Sequence, residues 1–228
     1  MKTIPITLGI ARKGNASLFQ GMTPAAQLEL KQKIFERDNH TCQCCGFQAK
    51  KYQEVLALDE ALGTKVDNLA TTCIFCHQCF HMDKVAEMRS GVLIWLPEIA
   101  QADLHNIARA LYVARISQGP MSETARAILD SLMTRREDVR NRLGTDDPYV
   151  LAGVFRDYIG RRHYAERTKK MEGVRLFPLD RRLIKEEDME FNQFPQILAF
   201  WRSKDGPFGG KVPNGWIDFF KDTVRKSA

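Results

Sequence analysis

All six cysteines of this 228-residue chain lie between Cys42 and Cys79. The remaining five-sixths of the sequence has none. No other feature restricts the fold as strongly. A disulfide framework spreads its staples over a small secreted domain. The amino-terminal stretch MKTIPITLGIARKG does not read as a secretory leader. Pro5 and Gly9 break its apolar residues, and Arg12-Lys13 follow at once. The expected setting is therefore the cytosol, where a local cysteine cluster means metal rather than disulfides.

The spacing sharpens this. Cys42 and Cys45 form one CxxC pair, Cys73 and Cys76 a second, and 27 residues separate Cys45 from Cys73. Two intervening residues let the backbone turn so that both sulfurs of a pair face one point. Two such knuckles supply the four soft ligands of a tetrahedral Zn²⁺ at about 2.3 Å. Gly46 permits the tight conformation after the first pair. The expected ligands are Cys42, Cys45, Cys73 and Cys76, holding one zinc ion. A four-thiolate site is closed, so the ion would be structural. Arg37, Lys50, Lys51 and Lys65 are the nearby cations expected to offset its charge. Cys44 and Cys79 are left over. Cys76 and Cys79 themselves form a CxxC, so Cys79 could replace an assigned ligand. His77 and His81 share one face if that turn is helical, which leaves a second metal site open.

The rest of the chain supports a packed core, with 44% hydrophobic and 27% charged residues. No apolar run approaches the roughly 18 residues of a membrane span, and Val92–Leu96 stops at Pro97. The net charge of +6 permits an anionic partner without requiring one. Between Arg161 and Glu187 the nine basic and five acidic residues read as a solvated, partly paired helix face.

Thr3–Ile10 reads as a short strand. Thr23-Pro24 starts a helix running to about Asp38, with Leu30, Ile34 and Phe35 near one face. A hairpin follows, with Val55–Leu58 as a strand and Gly63 in the turn. Val92–Leu96 is a further strand. Leu104, Ile107, Ala108 and Leu111 keep helical spacing. Ser122 is placed to cap a second helix containing Leu129 and Val139. Asp147-Pro148 caps a third, in which Val150, Leu151, Val154, Phe155 and Tyr158 are expected in the core. From Phe191 the chain turns aromatic, with Phe194, Phe200, Trp201, Trp216, Phe219 and Phe220 expected to cover the chain's own core. The expected fold is α+β: a zinc-bound β-hairpin unit on a mostly helical body. The expected division is residues 1–98 for the zinc unit with its strand and helix, 99–190 for a helical region and 191–228 for an aromatic extension.

Phe35-Glu36-Arg37-Asp38, Cys42-x-x-Cys45-Gly46, Asp67-Asn68-Leu69 and Cys73-x-x-Cys76-His77 fall in the order of the zinc-stapled HNH nuclease module, which this segment resembles. That resemblance implies a His pair on the strand after the first knuckle. Here Leu56 and Ala57 stand there, and neither can take a proton.

A further resemblance covers roughly residues 30–160. Cys42-Gln43-Cys44-Cys45-Gly46-Phe47-Gln48-Ala49, Asn68-Leu69, Cys76-His77-Gln78-Cys79-Phe80, Leu93–Glu98 and Gln101-Ala102-Asp103-Leu104 look like the IcmJ (DotN) family of Dot/Icm, or type IVB, secretion systems. It implies an HNH-like zinc fold without nuclease action, on the cytoplasmic side, peripheral to the inner-membrane secretion complex. It also implies binding to the cytoplasmic tail of the coupling ATPase and to other coupling-complex subunits, without membrane insertion. The ligands carry over onto Cys42, Cys45, Cys73 and Cys76. Trp95, Tyr112 and Tyr149 are the expected interface anchors. Two alternatives remain: an HNH nuclease using Asp59, His77 and His81 with Mg²⁺, and a DNA-binding accessory protein resting on the net charge. Nucleic acid is not the expected partner, and the chain is not expected to be an enzyme.

Overall fold

The computed structural model describes residues 3–11, 18–186 and 189–216, together with positions 218, 221 and 225. The fold is α+β, with small antiparallel strand pairs set among helices. Helix α1 (Pro24–Arg37) starts as expected: the Thr23 side chain accepts from Ala26 N, and Pro24 takes the first position. Asn39 and His40 then turn the chain at a φ of 50° each. Strand β1 (Gln53–Ala57) pairs antiparallel with β2 (Leu69–Cys73), with Val55 opposite Thr71. Buried Asn68 ties their long connection. Its Oδ1 accepts from Asp59 N, and its Nδ2 donates to the carbonyls of Asp59 and Gly63.

Helix α2 (Ile74–Phe80) leaves β2 directly, followed by α3 (Met82–Glu87) and β3 (Gly91–Trp95). The body contains α4 (Gln101–Arg115), α5 (Pro120–Leu143), α6 (Pro148–Asp157), and the short α7 (Arg161–Tyr164) and α8 (Arg167–Lys170). Strand β4 (Val174–Pro178) pairs antiparallel with β3. A small hairpin of β5 (Leu183–Glu186) and β6 (Met189–Asn192) leads into α9 (Phe194–Arg202).

One buried cluster joins the cysteine knuckles to β3, α4, α5 and α9. Trp201, 1% exposed, is its largest side chain. Its ring meets Phe47, Phe75 and Phe194 edge-on, at centroid distances of 5.9, 5.6 and 6.0 Å. The aromatic extension thus packs on its own chain. Phe208 also stacks on Trp216 at 5.4 Å. Phe219 and Phe220 lie outside the described residues. A second cluster gathers Leu8, Ile10, α3, β3, α6 and β4.

Several expectations are corrected. Thr3–Ile10 is not a strand. Its backbone bonds go from Ile4 N to Gln43 O, from Gly9 N to Cys79 O and from Met82 N to Gly9 O, and none of them builds a strand pair. Helix α5 begins at Pro120, and Ser122 lies inside its first turn, where its hydroxyl donates to Arg115 O. The charged segment from Arg161 is not one helix face. Gly173, at φ 84°, lies in the turn between α8 and β4, and buried Val174, Leu176 and Phe177 complete the β3 pair. On α6, Leu151, Ala152 and Phe155 are buried while Val150, Val154 and Tyr158 are exposed, because α6 packs a single face against its neighbours. Tyr112 is core: its hydroxyl donates to Pro178 O at 2.6 Å and its ring meets Phe194. Among the described residues, no helix is long and apolar enough to cross a membrane.

Candidate metal centre

Cys42 and Cys45 occupy a tight turn. Gly46 N donates to Cys42 O, Cys42 N donates to Phe47 O, and Gly46 adopts a φ of 74°. A side chain is strained in that left-handed region, so glycine suits the position. Cys73 ends β2, and Cys76 sits in the first turn of α2. The strand-to-helix switch turns both sulfurs to one side, and Cys73 Sγ caps the helix by accepting from Cys76 N at 3.4 Å.

The structure brings the Sγ atoms of Cys42, Cys45, Cys73 and Cys76 within 4.8 Å of one another, a group that could hold a metal ion. Four sulfurs about 2.3 Å from a central ion would have tetrahedral edges of about 3.8 Å. Cys45 Sγ and Cys73 Sγ are 3.8 Å apart. All four cysteines are free thiols, and all but half-buried Cys45 are buried. The donor set therefore fits a tetrahedral thiophilic ion. Cys44 and Cys79 are buried outside the group, and Cys79 Sγ donates to Phe75 O.

Two side chains from α4 complete the surroundings, and sequence reasoning missed both. Arg109 is 1% exposed. Its Nη2 lies 2.6 Å from Cys73 Sγ and 3.8 Å from Cys45 Sγ, while Nη1 donates to Asn106 Oδ1. Its guanidinium covers the rings of Phe47 at 4.0 Å and Phe75 at 5.0 Å. Burial works against its charge, but the surrounding cysteines prevail and hold its pKa above the ordinary value.

His105, fully buried, places Nδ1 3.2 Å from Cys76 Sγ. Its tautomer follows from its neighbours. Gln101 Oε1 accepts from Leu176 N, which fixes the amide orientation, and Gln101 Nε2 donates to Leu176 O and lies 2.8 Å from His105 Nε2. His105 Nε2 is then an acceptor, and the hydrogen-bond pattern assigns the proton to Nδ1, facing the sulfur. Burial, then the Arg109 charge, pushes this imidazole down to about 3, so it is neutral at pH 7.

The expected counter-charges are elsewhere. Arg37 pairs with Asp38 and donates to the carbonyls of Val66 and Leu69. Lys51 lies over Phe200, and Lys50 and Lys65 are exposed. A signal for the true partners was present. His105 and Arg109 are four residues apart on the stripe of Leu104, Ala108 and Leu111, where polar groups are costly unless they have a task.

The residues of a catalytic alternative are not assembled. His77 and His81 do meet, with ring centroids 4.4 Å apart, and burial lowers both pKa values. Asp59 Oδ1 instead accepts from Ala61 N. Among the described residues, the four cysteines form the one group of three or more close ligating side chains. Leu56 is buried in the hairpin.

No protein-family model matches the chain. It is 36% identical over 153 residues to the type 4 apparatus protein DotN of Legionella pneumophila subsp. pneumophila, covering 65% of this chain and 71% of that protein.

Proposed function

Because this chain belongs to the DotN family of type IV secretion apparatus proteins, we propose that it is a zinc-stapled structural subunit of a type IVB coupling complex that holds the cytoplasmic tail of the coupling ATPase. The likeness to DotN, at 36% identity over 71% of that protein, carries this reading. Cys42, Cys45, Cys73 and Cys76 would hold the ion. Four thiolates at tetrahedral spacing favour zinc, and a closed site gives it a structural task. When bound, zinc supplies fixed cross-linking of the two knuckles.

An antiparallel hairpin followed by a helix that carries Cys76 and His77 supports an HNH-like reading of this unit. Leu56 and Ala57 supply no general base, so the unit acts as a scaffold rather than a nuclease. Membrane attachment comes through protein contacts. Tyr149, 52% exposed, remains available as an interface anchor, whereas Trp95 is half-buried beneath Arg142.

Co-expression with the ATPase's cytoplasmic tail tests the assembly role. A stable co-purifying complex is expected, and it should be lost in Cys73→Ser. No complex at low salt, together with tight and salt-sensitive DNA binding, would transfer the reading to nucleic acid, because phosphate contacts give a steep salt slope.

A further inference from the structure

We propose that Arg109 is the internal counter-ion of the metal centre, and that through it the folding of α4 and α9 becomes conditional on metal loading. This rests on the reading that the four cysteines hold a divalent ion.

A divalent ion bound by four thiolates carries a formal charge of minus two. Placing that charge in a core is costly unless it is paired and hydrogen-bonded. Arg109 meets both needs. It contributes one positive charge and directs N–H groups at Cys73 and Cys45, while Phe47 and Phe75 cover its faces. No other Lys or Arg has a hydrogen bond to these sulfurs among the described residues. The pair is therefore specific.

The dependence runs both ways. Without metal nothing holds the two knuckles, and with them the sulfurs of Cys73 and Cys45, in place around the guanidinium, which keeps its charge. Arg109 would then be a buried cation whose remaining hydrogen-bond partner is Asn106. Removing one member of a buried pair is strongly destabilising because the other is left uncompensated.

The strain would fall on specific elements. Arg109 shares α4 with Tyr112, whose ring packs on Phe194 of α9. The two rings that flank the guanidinium, Phe47 and Phe75, are also those that seat Trp201 of α9. His105 and Gln101 add a second leg, from Cys76 through α4 to Leu176 of β4. Metal loading is thereby read in the helical body as well as in the knuckles.

Full-length wild type, Arg109→Met and Arg109→Lys are compared with zinc bound and after chelation. Zinc affinity is read by chelator competition and stability by thermal midpoint. Arg109→Met is expected to bind zinc 10–100-fold more weakly, the usual cost of losing a partner around a metal's ligands. With zinc it should melt below wild type; without zinc it should melt above it. Arg109→Lys should recover part of the affinity and keep the metal-free penalty. A purely packing role for Arg109 would instead lower both midpoints alike, which would overturn the proposal, as would unchanged zinc affinity. Amide exchange on the wild type needs no variant. Chelation should strip protection from α4 and α9, and loss confined to the knuckles would refute the coupling. If the wild type binds no zinc, the metal reading itself fails and this proposal with it.

Discussion

Cys73→Ser is expected to abolish metal binding and to destabilise the larger core with it. This sulfur has three tasks. It belongs to the four-thiol group, it caps α2 by accepting from Cys76 N, and it accepts from Arg109. Apparent binding free energies of structural zinc are about 10–16 kcal/mol in small zinc peptides, and that binding energy is also folding energy. A domain's whole stability is about 5–15 kcal/mol. Loss of one ligand therefore removes a large part of the margin, and circular dichroism melts with metal analysis should show no zinc and a midpoint far below that of the wild type. Cys76→Ser should behave alike. Cys79→Ser, which removes a thiol outside the group, should retain zinc. The reverse pattern would show that Cys79 is the fourth ligand.

The second large effect concerns the far end of the chain. Trp201→Ala should cost about 3–5 kcal/mol, the usual range for emptying a large aromatic site. Trp201 is 1% exposed and wedges edge-on among Phe47, Phe75 and Phe194. The segment after it wraps closely: Phe208 N donates to Trp201 O, and a Cβ on Gly206 would fall 1.9 Å from Phe200 O. The cavity is therefore closed from outside and has little means to collapse. Denaturant unfolding at fixed zinc measures the loss. A cost within about 0.5 kcal/mol, the scale of an ordinary surface change, would mean that α9 is not part of this core.

Local signals carried much of the architecture. Thr23-Pro24 and Asp147-Pro148 mark their helices because capping is decided within one turn of chain. The two CxxC pairs mark the site because two residues of spacing already dictate that both sulfurs face one point. What was not legible depends on distance. Proximity in sequence points to Arg37, Lys50, Lys51 and Lys65 for the counter-charge, yet Arg109 is 36 residues from Cys73. Strand β4 was hidden by its charged neighbours, and its role depends on β3, to which it pairs from far along the chain. Thr3–Ile10 carries strand-forming residues but meets no partner strand. On α6, the apolar residues Val150, Val154 and Tyr158 remain exposed, since periodicity identifies a helix but not how many of its faces are covered.

Metal content of the full chain, purified without chelator and measured by elemental analysis alongside its absorption spectrum, tests the central claim most directly. The account predicts one zinc per chain, retained through gel filtration, with no visible chromophore. A folded, reduced protein carrying well under one zinc, or carrying iron with the visible absorption of an iron–sulfur cluster, would contradict it.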